Sequence, residues 1–422
     1  VSTLTVNIRN LAFGGDGVGE VCGAEDESLL GISAFVPFSI PGEKIRAQVV
    51  EQKKRFIRAE LVEHIEEPSP HRVDPECRFF GICGGCELQH IGYREQLHLK
   101  FEMIRGALRA GRLPQQVVEA LKEIVPSEPY HYRRRVTLHL SQTGLIGFYR
   151  EHSRSVVSID RCPVATPEIS ALLPSLSSFA HAVKGKVSSV TLESDSGGTV
   201  AVLKSAYALT RRDIELILGE GRKCFESAVL LSGNESVGGF GREILELELS
   251  PGFSLRFPAG NFSQVNSEIN RSLVEYVVEN SGVERNTAVF DLYAGAGNFS
   301  LPLARHGAKI TAVELDSRLV HLGKQNAERL RLQVNFLASS VESFLKKNTQ
   351  TPELIVADPP RSGLGSIRLP PARRLILISC HLPSCVRDLA ALLEAGYHVK
   401  EIQPFDMFAQ TTYVEIATVL ER

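Results

Sequence analysis

Residues 288–316 read AVFDLYAGAGNFSLPLARHGAKITAVELD. An apolar run, AVFDL, meets a glycine-rich turn. A helix-like stretch follows, and a second apolar run, KITAVE, ends on an acid. The pattern predicts a strand, a turn, a helix and a second parallel strand. Two more apolar runs come after it, ELIVADPP (353–360) and RLILISC (374–380). Ahead of it, SEINRSLVEYVVENSG (267–282) has helical amphipathic spacing and a glycine end. YHVKEIQPF (397–405) and YVEIATVLE (413–421) read as two closing strands. Strands alternating with helices predict a doubly wound, Rossmann-like α/β domain over residues 251–422.

In such a sheet, ligands bind beyond the carboxyl ends of the strands. The four apolar runs end at Asp291, Glu314, Asp358 and Cys380. Gly295 and Gly297 let the backbone turn sharply and approach a ligand. Ser300 stands where a dinucleotide fingerprint has its third glycine. Glu314, at the next strand end, suits ribose hydroxyls. A nucleoside-type cofactor fits this pattern. The missing phosphate loop favours S-adenosylmethionine over NAD. Pro359-Pro360 stiffens the loop after Asp358. Arg361, where amino-methylating enzymes carry an aromatic, argues against that class. Ser384 is the expected N-cap of the helix closed by Gly396, and Cys380 just ahead of it is a candidate thiolate. Cys385, inside that helix, reads as packing.

Residues 1–65 read as a small β-barrel. LTVNIRNL, SAFVPF, KIRAQVVEQ and FIRAELVEHI are short alternating runs, broken by GGDGVG and Pro41-Gly42. Residues 44–58 hold six basic side chains against the single acid Glu51, a candidate RNA-facing strip. Residues 66–250 read as a central α+β domain. They open with a linker and cysteines, then the helical run YREQLHLKFEMIRGALRAG, then an antiparallel insert of strand-like runs. Cys77, Cys83 and Cys86 are spaced C-x5-C-x2-C, and Cys162 lies far downstream before Pro163. Four thiolates hold either zinc or an iron–sulfur cluster.

The 422 residues are 43% hydrophobic and 23% charged, which excludes disorder, collagen and coiled-coil rods. The length allows two to three domains. The formal net charge is -2, so any nucleic-acid contact needs a local basic face. Beyond residues 44–58, the candidates are Tyr132 with Arg133, Arg134 and Arg135, and Phe148-Tyr149-Arg150. Eight cysteines are too few for a disulfide scaffold. No run reaches the ~18 apolar residues of a membrane helix, and no signal peptide is evident. The expectation is a cytoplasmic monomer with no membrane association.

Taken in order, these motifs resemble the uracil-C5 RNA methyltransferases of the TrmA/RumA type. The likeness runs through nearly the whole chain. GGDGVG, FVPF and PGEKI resemble an OB-like TRAM barrel. CRFFGICGGCELQHIGYREQL with RCP (161–163) resembles the family's iron–sulfur motif. YHYRRR and GFYREHS resemble its central domain. FSQVN, DLYAGAGNFSLPLA, DPPRSGL, the Cys380 segment and DMFAQTTYVE resemble its catalytic domain.

The resemblance implies that Gln264, Tyr293, Gly295, Gly297, Asn298, Glu314 and Asp358 surround S-adenosylmethionine and the reacting base, with Phe262 walling the pocket. It implies that Cys380 is the nucleophile, through a covalent adduct at C6 of uracil, and that Glu415 removes the C5 proton. It turns the four-cysteine set into a structural 4Fe–4S cluster on Cys77, Cys83, Cys86 and Cys162. Cys22, Cys224 and Cys385 are then bystanders. The implied substrate is 23S rRNA, with a tRNA T-loop uridine as runner-up. A non-catalytic RNA-binding iron–sulfur protein is the alternative of another class. His381-Leu382, Ala409, Tyr413 and Ser340 depart from the family pattern.

Overall fold

The computed structural model describes residues 2–233, 235–261 and 263–422. They divide into two compact units. The first comprises residues 1–106 together with 408–413, and the second comprises residues 107–407 and 414–422.

In the first unit, β1 (Thr3–Leu11), β2 (Gly17–Ala24), β3 (Ser33–Val36), β4 (Lys44–Gln52) and β5 (Phe56–His64) close a barrel in the order β1-β2-β3-β5-β4. Alternation fills it: Leu4, Val6, Ile8, Val36, Ile45 and Ile57 point inward and are buried. Glu43 at the barrel's base is buried. Burial alone would raise its carboxyl. Two bonds from Arg72 and one from the Ile40 N–H outweigh that, and the carboxyl lies below its ordinary range. This pair ties the linker to the barrel. The helix Tyr93–Ala110 matches the expected helical run, and the chain turns after it at Gly111.

The second unit holds two seven-stranded sheets. The central one contains β6 (Arg135–Leu140), β7 (Ile146–Tyr149), β8 (Val156–Val157), β9 (Ser189–Asp195), β10 (Gly198–Ser205), β11 (Ala228–Ser232) and β12 (Glu235–Phe240). Their order is β12-β11-β10-β9-β6-β7-β8. The expectation of an antiparallel insert fails at one place, because β10 and β11 are parallel. The helix Arg211–Gly221 makes the crossover that such a pair needs, and a Thr210/Asp213 capping box starts it. The run REILELEL is not in this sheet. As β13 (Ile244–Ser250) it forms a hairpin with β14 (Phe253–Pro258).

The other sheet runs β17-β16-β15-β18-β19-β21-β20. Its strands are β15 (Ala288–Leu292), β16 (Lys309–Glu314), β17 (Val334–Ala338), β18 (Leu354–Ala357), β19 (Arg374–Ser379), β20 (His398–Phe405) and β21 (Glu415–Glu421). The first five are mutually parallel, whereas β21 runs antiparallel between β19 and β20. That reversal matters for the site. The start of β21 reaches the same edge as the ends of β15, β16, β18 and β19.

Candidate active site

At that edge the strand β15 ends and the backbone turns through Tyr293, Gly295 and Gly297, all at positive φ (66°, 56° and 102°). The two glycines serve different needs. A Cβ on Gly297 would come within 2.9 Å of Leu301 Cγ and 3.0 Å of Phe336 Cζ, so this glycine permits close packing. A Cβ on Gly295 would meet nothing within 4 Å. Space therefore lies open in front of Gly295, as a cofactor approach requires. The Gly295 N–H donates to Glu314 Oε2 (3.0 Å) and the Asp316 N–H to Glu314 Oε1 (2.8 Å). One acid thus joins the ends of β15 and β16.

Asp291 is fully buried one residue before the end of β15. Ser300, in the place of the third fingerprint glycine, donates its hydroxyl to Asp291 Oδ2, while Oδ1 has no hydrogen-bond partner. Burial, with the Asp358 and Glu314 charges adding to it, pushes the Asp291 carboxyl up to about 7. An orphaned buried acid beside an open glycine turn suits a cationic, nucleoside-type molecule such as S-adenosylmethionine.

Gln264 is buried in the segment before the helix Ser267–Asn280. Arg134 holds this segment. It donates to Ser263 Oγ (3.0 Å) and to the Gln264 carbonyl (3.4 Å), with its guanidinium 5.3 Å from the Phe257 ring centre. Asn298 exchanges two hydrogen bonds with Asn270 (3.0 and 3.1 Å). Asn270 was not singled out from sequence. The signal was present: it is an amide on the buried helix face formed by Ile269, Leu273, Val274 and Val277. Burial and Glu342 push the Tyr293 phenol up to about 12. Ser340 accepts from Ser343 N and caps the helix Val341–Lys347. Phe262 lies outside the described residues.

Cys380 directly follows β19. The ladder to β21 pairs Ser379 with Ile416, so Cys380 stands opposite Glu415 one step on. Asp358, one residue past β18, completes the group. Glu415 is buried, and its carboxyl is driven well above the ordinary range by burial and by Asp358. Asp358 is likewise raised by burial. Burial, then the charges of Glu415 and Asp358, push the Cys380 thiol up to about 11, while Arg361 pulls it down.

The expectation of a thiolate favoured by a helix terminus is not met: burial first, then the Glu415 and Asp358 charges, hold the Cys380 thiol above its ordinary range. The expected cap is also corrected. The helix Leu382–Glu394 has His381 at its N-cap, because Pro383 fits the first turn and lets the helix begin early. Ser384 sits inside it, 2.8 Å from His381 Nδ1, and donates to the Arg361 carbonyl (2.6 Å). Cys385 is buried.

None of the eight cysteines forms a disulfide. Cys77, Cys83 and Cys86 are half-buried in the first unit, and Cys162 is buried in the second. Among the described residues, no group of three or more His, Cys, Asp or Glu side chains is arranged to hold a metal ion.

The basic strip at residues 44–58 is partly paired, through exposed ion pairs. Lys44 pairs with Glu66, Arg46 with Glu63, and Lys53 with Glu51. Cross-strand acids from β5 and its flank were invisible to a count along β4. In the 133–135 trio, Arg134 is buried as described, and Arg135 pairs with Glu193 (3.3 Å). Tyr149 and Arg150 are exposed, and Tyr149 stacks on His139 with ring centres 3.8 Å apart.

Residues 242–422 match the family model described as tRNA (Uracil-5-)-methyltransferase, and residues 1–62 match the TRAM domain. The chain is 33% identical to the 23S rRNA (uracil(1939)-C(5))-methyltransferase RlmD of Shewanella amazonensis, covering 92% of this chain and 90% of that protein. It is 31% identical to the protein of the same name from Acinetobacter baumannii, covering 93% and 89%. Its fold is that of the Pyrococcus abyssi tRNA (uracil-54, C5)-methyltransferase, solved with S-adenosyl-L-homocysteine, at a TM-score of 0.76 and 22% identity over the full length of both chains. No helix among the described residues is long and apolar enough to cross a membrane.

Proposed function

Because the chain belongs to the RNA uracil-C5 methyltransferase family, we propose that it methylates carbon 5 of one uridine in 23S rRNA through a covalent Cys380–C6 adduct. The observation that carries this reading is the opposition of Cys380 and Glu415 at the sheet edge, beside the open turn at Gly295.

Carbon 5 of uracil is a weak nucleophile. Addition of the Cys380 thiolate to C6 moves the ring's electron pair onto C5 and O4, and C5 becomes enolate-like. S-adenosylmethionine, when bound, would supply the electrophilic methyl group that C5 takes up, with S-adenosylhomocysteine as the leaving group. Glu415 Oε then takes the C5 proton, the C5–C6 double bond re-forms, and the Cys380 sulfur leaves as thiolate. Gln264, Tyr293, Gly295, Gly297, Asn298, Glu314 and Asp358 would surround the cofactor and the reacting base, with Asp291 buried at the same strand end. Holding both reactants in line contributes much of the rate. A stacked uracil is out of reach, so the target nucleotide is flipped out of the RNA. Exposed Tyr149 and Arg150 are candidates for stacking and backbone contacts.

The donor chemistry of Cys77, Cys83, Cys86 and Cys162 fits a 4Fe–4S cluster: four thiols, none in a disulfide. Its proposed role is structural. We place the protein in the cytoplasm, as a monomer, with the barrel (1–65) and central domain (66–250) serving RNA binding and residues 251–422 catalysis. The test is methylation in vitro of 23S rRNA and tRNA transcripts, read as 5-methyluridine by mass spectrometry. Product in 23S rRNA alone supports the reading. Product in tRNA alone moves the substrate to the T-loop, and product in neither overturns the assignment.

A further inference from the structure

The segment Phe408–Tyr413 lies between β20 and β21 in sequence, yet it packs with the N-terminal unit. Two residues after it comes Glu415. The segment is held by an unusual concentration of polar contacts from residues 87–100. The Glu87 and Leu88 N–H groups both donate to the Gln410 carbonyl (2.9 and 3.1 Å). Glu87 Oε2 accepts from the Thr412 N–H (2.9 Å) and from the Thr412 hydroxyl (2.7 Å). Gln96, buried, donates to Gln410 Oε1 (2.9 Å). Lys100, fully buried, directs its ammonium at the carbonyls of Phe408 (3.3 Å) and Tyr413 (3.5 Å). Gln410 itself sits at φ 67°, a left-handed backbone that a non-glycine residue keeps only where its surroundings over-determine it.

A buried lysine and amide cost stability unless they are hydrogen-bonded, and here both direct hydrogen bonds at this irregular segment. The chain leads through Val414 directly into Glu415. We propose that Glu87 and Gln96 are positioning residues for proton removal: they fix the course of Phe408–Tyr413 and thereby the placement of the Glu415 carboxylate. This rests on Glu415 being the base. Glu87 acts through Thr412, and Gln96 through Gln410.

The consequence is kinetic. A base displaced by a fraction of an ångström slows proton removal but leaves thiolate addition and methyl transfer intact. Glu87→Ala is expected to lower kcat by about 10- to 100-fold, with KM for RNA falling alongside it, so that kcat/KM stays within about twofold. It is also expected to accumulate a covalent protein–RNA adduct on ordinary uridine substrate, seen as a denaturant-resistant band. Glu87→Gln, which keeps an acceptor for Thr412, should recover most of the rate. Thr412→Ala removes the same contact from the other side. It should reproduce the adduct, and it serves if Glu87→Ala fails to fold by circular dichroism. Slow turnover without adduct, or wild-type kcat in both alanine variants, would overturn the proposal. Glu415→Gln is run alongside. If it too builds no adduct, the base assignment itself has failed. If it does and the Glu87 and Thr412 variants do not, only the positioning role has failed.

Discussion

Cys380 and Glu415 face each other across adjacent antiparallel strands, one step past the Ser379–Ile416 pair that ends the β19–β21 ladder. Opposed residues in such a ladder point to the same face, with Cβ atoms about 5 Å apart. Burial first, and then the Glu415 and Asp358 charges, hold the Cys380 thiol up at about 11. In the proposed reaction the two groups act in sequence, the thiolate first and the carboxylate afterwards.

The first prediction follows from the signs of these influences. Glu415 raises the Cys380 thiol and Arg361 lowers it. Glu415→Gln should therefore speed alkylation of Cys380 by iodoacetamide at pH 9, and Arg361→Ala should slow it, each by a few-fold. Peptide mass spectrometry of the Cys380 fragment reads both rates. Equal rates in all three proteins would remove the charge coupling.

Asp291 carries a second prediction. Its folded-state value of about 7 lies above the ordinary 3.8. Between those limits the folded chain holds a proton that the unfolded chain has lost, so stability falls as pH rises through the window from about 4 to about 7. Asp291→Asn should remove this slope. Its melting temperature should exceed the parent's at pH 8 and approach it at pH 4.5. If Asp291 also serves the proposed cofactor site, the same variant should bind S-adenosylmethionine at least tenfold more weakly by calorimetry.

The two turn glycines should separate stability from binding. Gly297→Ala pushes a methyl against Leu301 and Phe336 at a φ of 102°, and should destabilise the fold by about 1–3 kcal/mol in urea unfolding. Gly295→Leu extends into open space. It should retain more of the stability yet lose S-adenosylmethionine binding, because the side chain occupies the cofactor's approach.

Much of this was legible in the chain, for identifiable reasons. Strands buried on both faces read as continuous apolar runs, which marked β15, β16, β18 and β19. Polar residues closing those runs marked the strand ends, including Asp291 and Cys380. The edge strand β17, VNFLA, went unread because only Phe336 in it is buried and Asn335 interrupts its apolar run. β12 went unread because ESVGGF offers two glycines and little apolar content. Partners distant in sequence were also out of reach. Arg134 resembled an RNA contact until Ser263 and the Gln264 carbonyl appeared beside it. Pairing of β4's charges with β5 depends on a register that composition does not encode.

The cysteine set makes a prediction apart from catalysis. Protein purified without oxygen should contain about four iron atoms per chain and absorb broadly near 400 nm, as expected of a 4Fe–4S centre. Cys83→Ser should lose both. Stoichiometric zinc without iron would replace the cluster by a zinc site.

The most direct test of the central claim is a covalent trap. Fluorine at C5 of uridine cannot leave as a proton does, so the adduct stalls after methyl transfer. The protein is incubated with S-adenosylmethionine and 23S rRNA fragments carrying 5-fluorouridine, then digested and sequenced by mass spectrometry. A methylated fluorouridine nucleotide attached to the Cys380 peptide, and absent in Cys380→Ala, is the predicted result. An adduct on a different cysteine, or no adduct from enzyme that still methylates ordinary uridine, would contradict it.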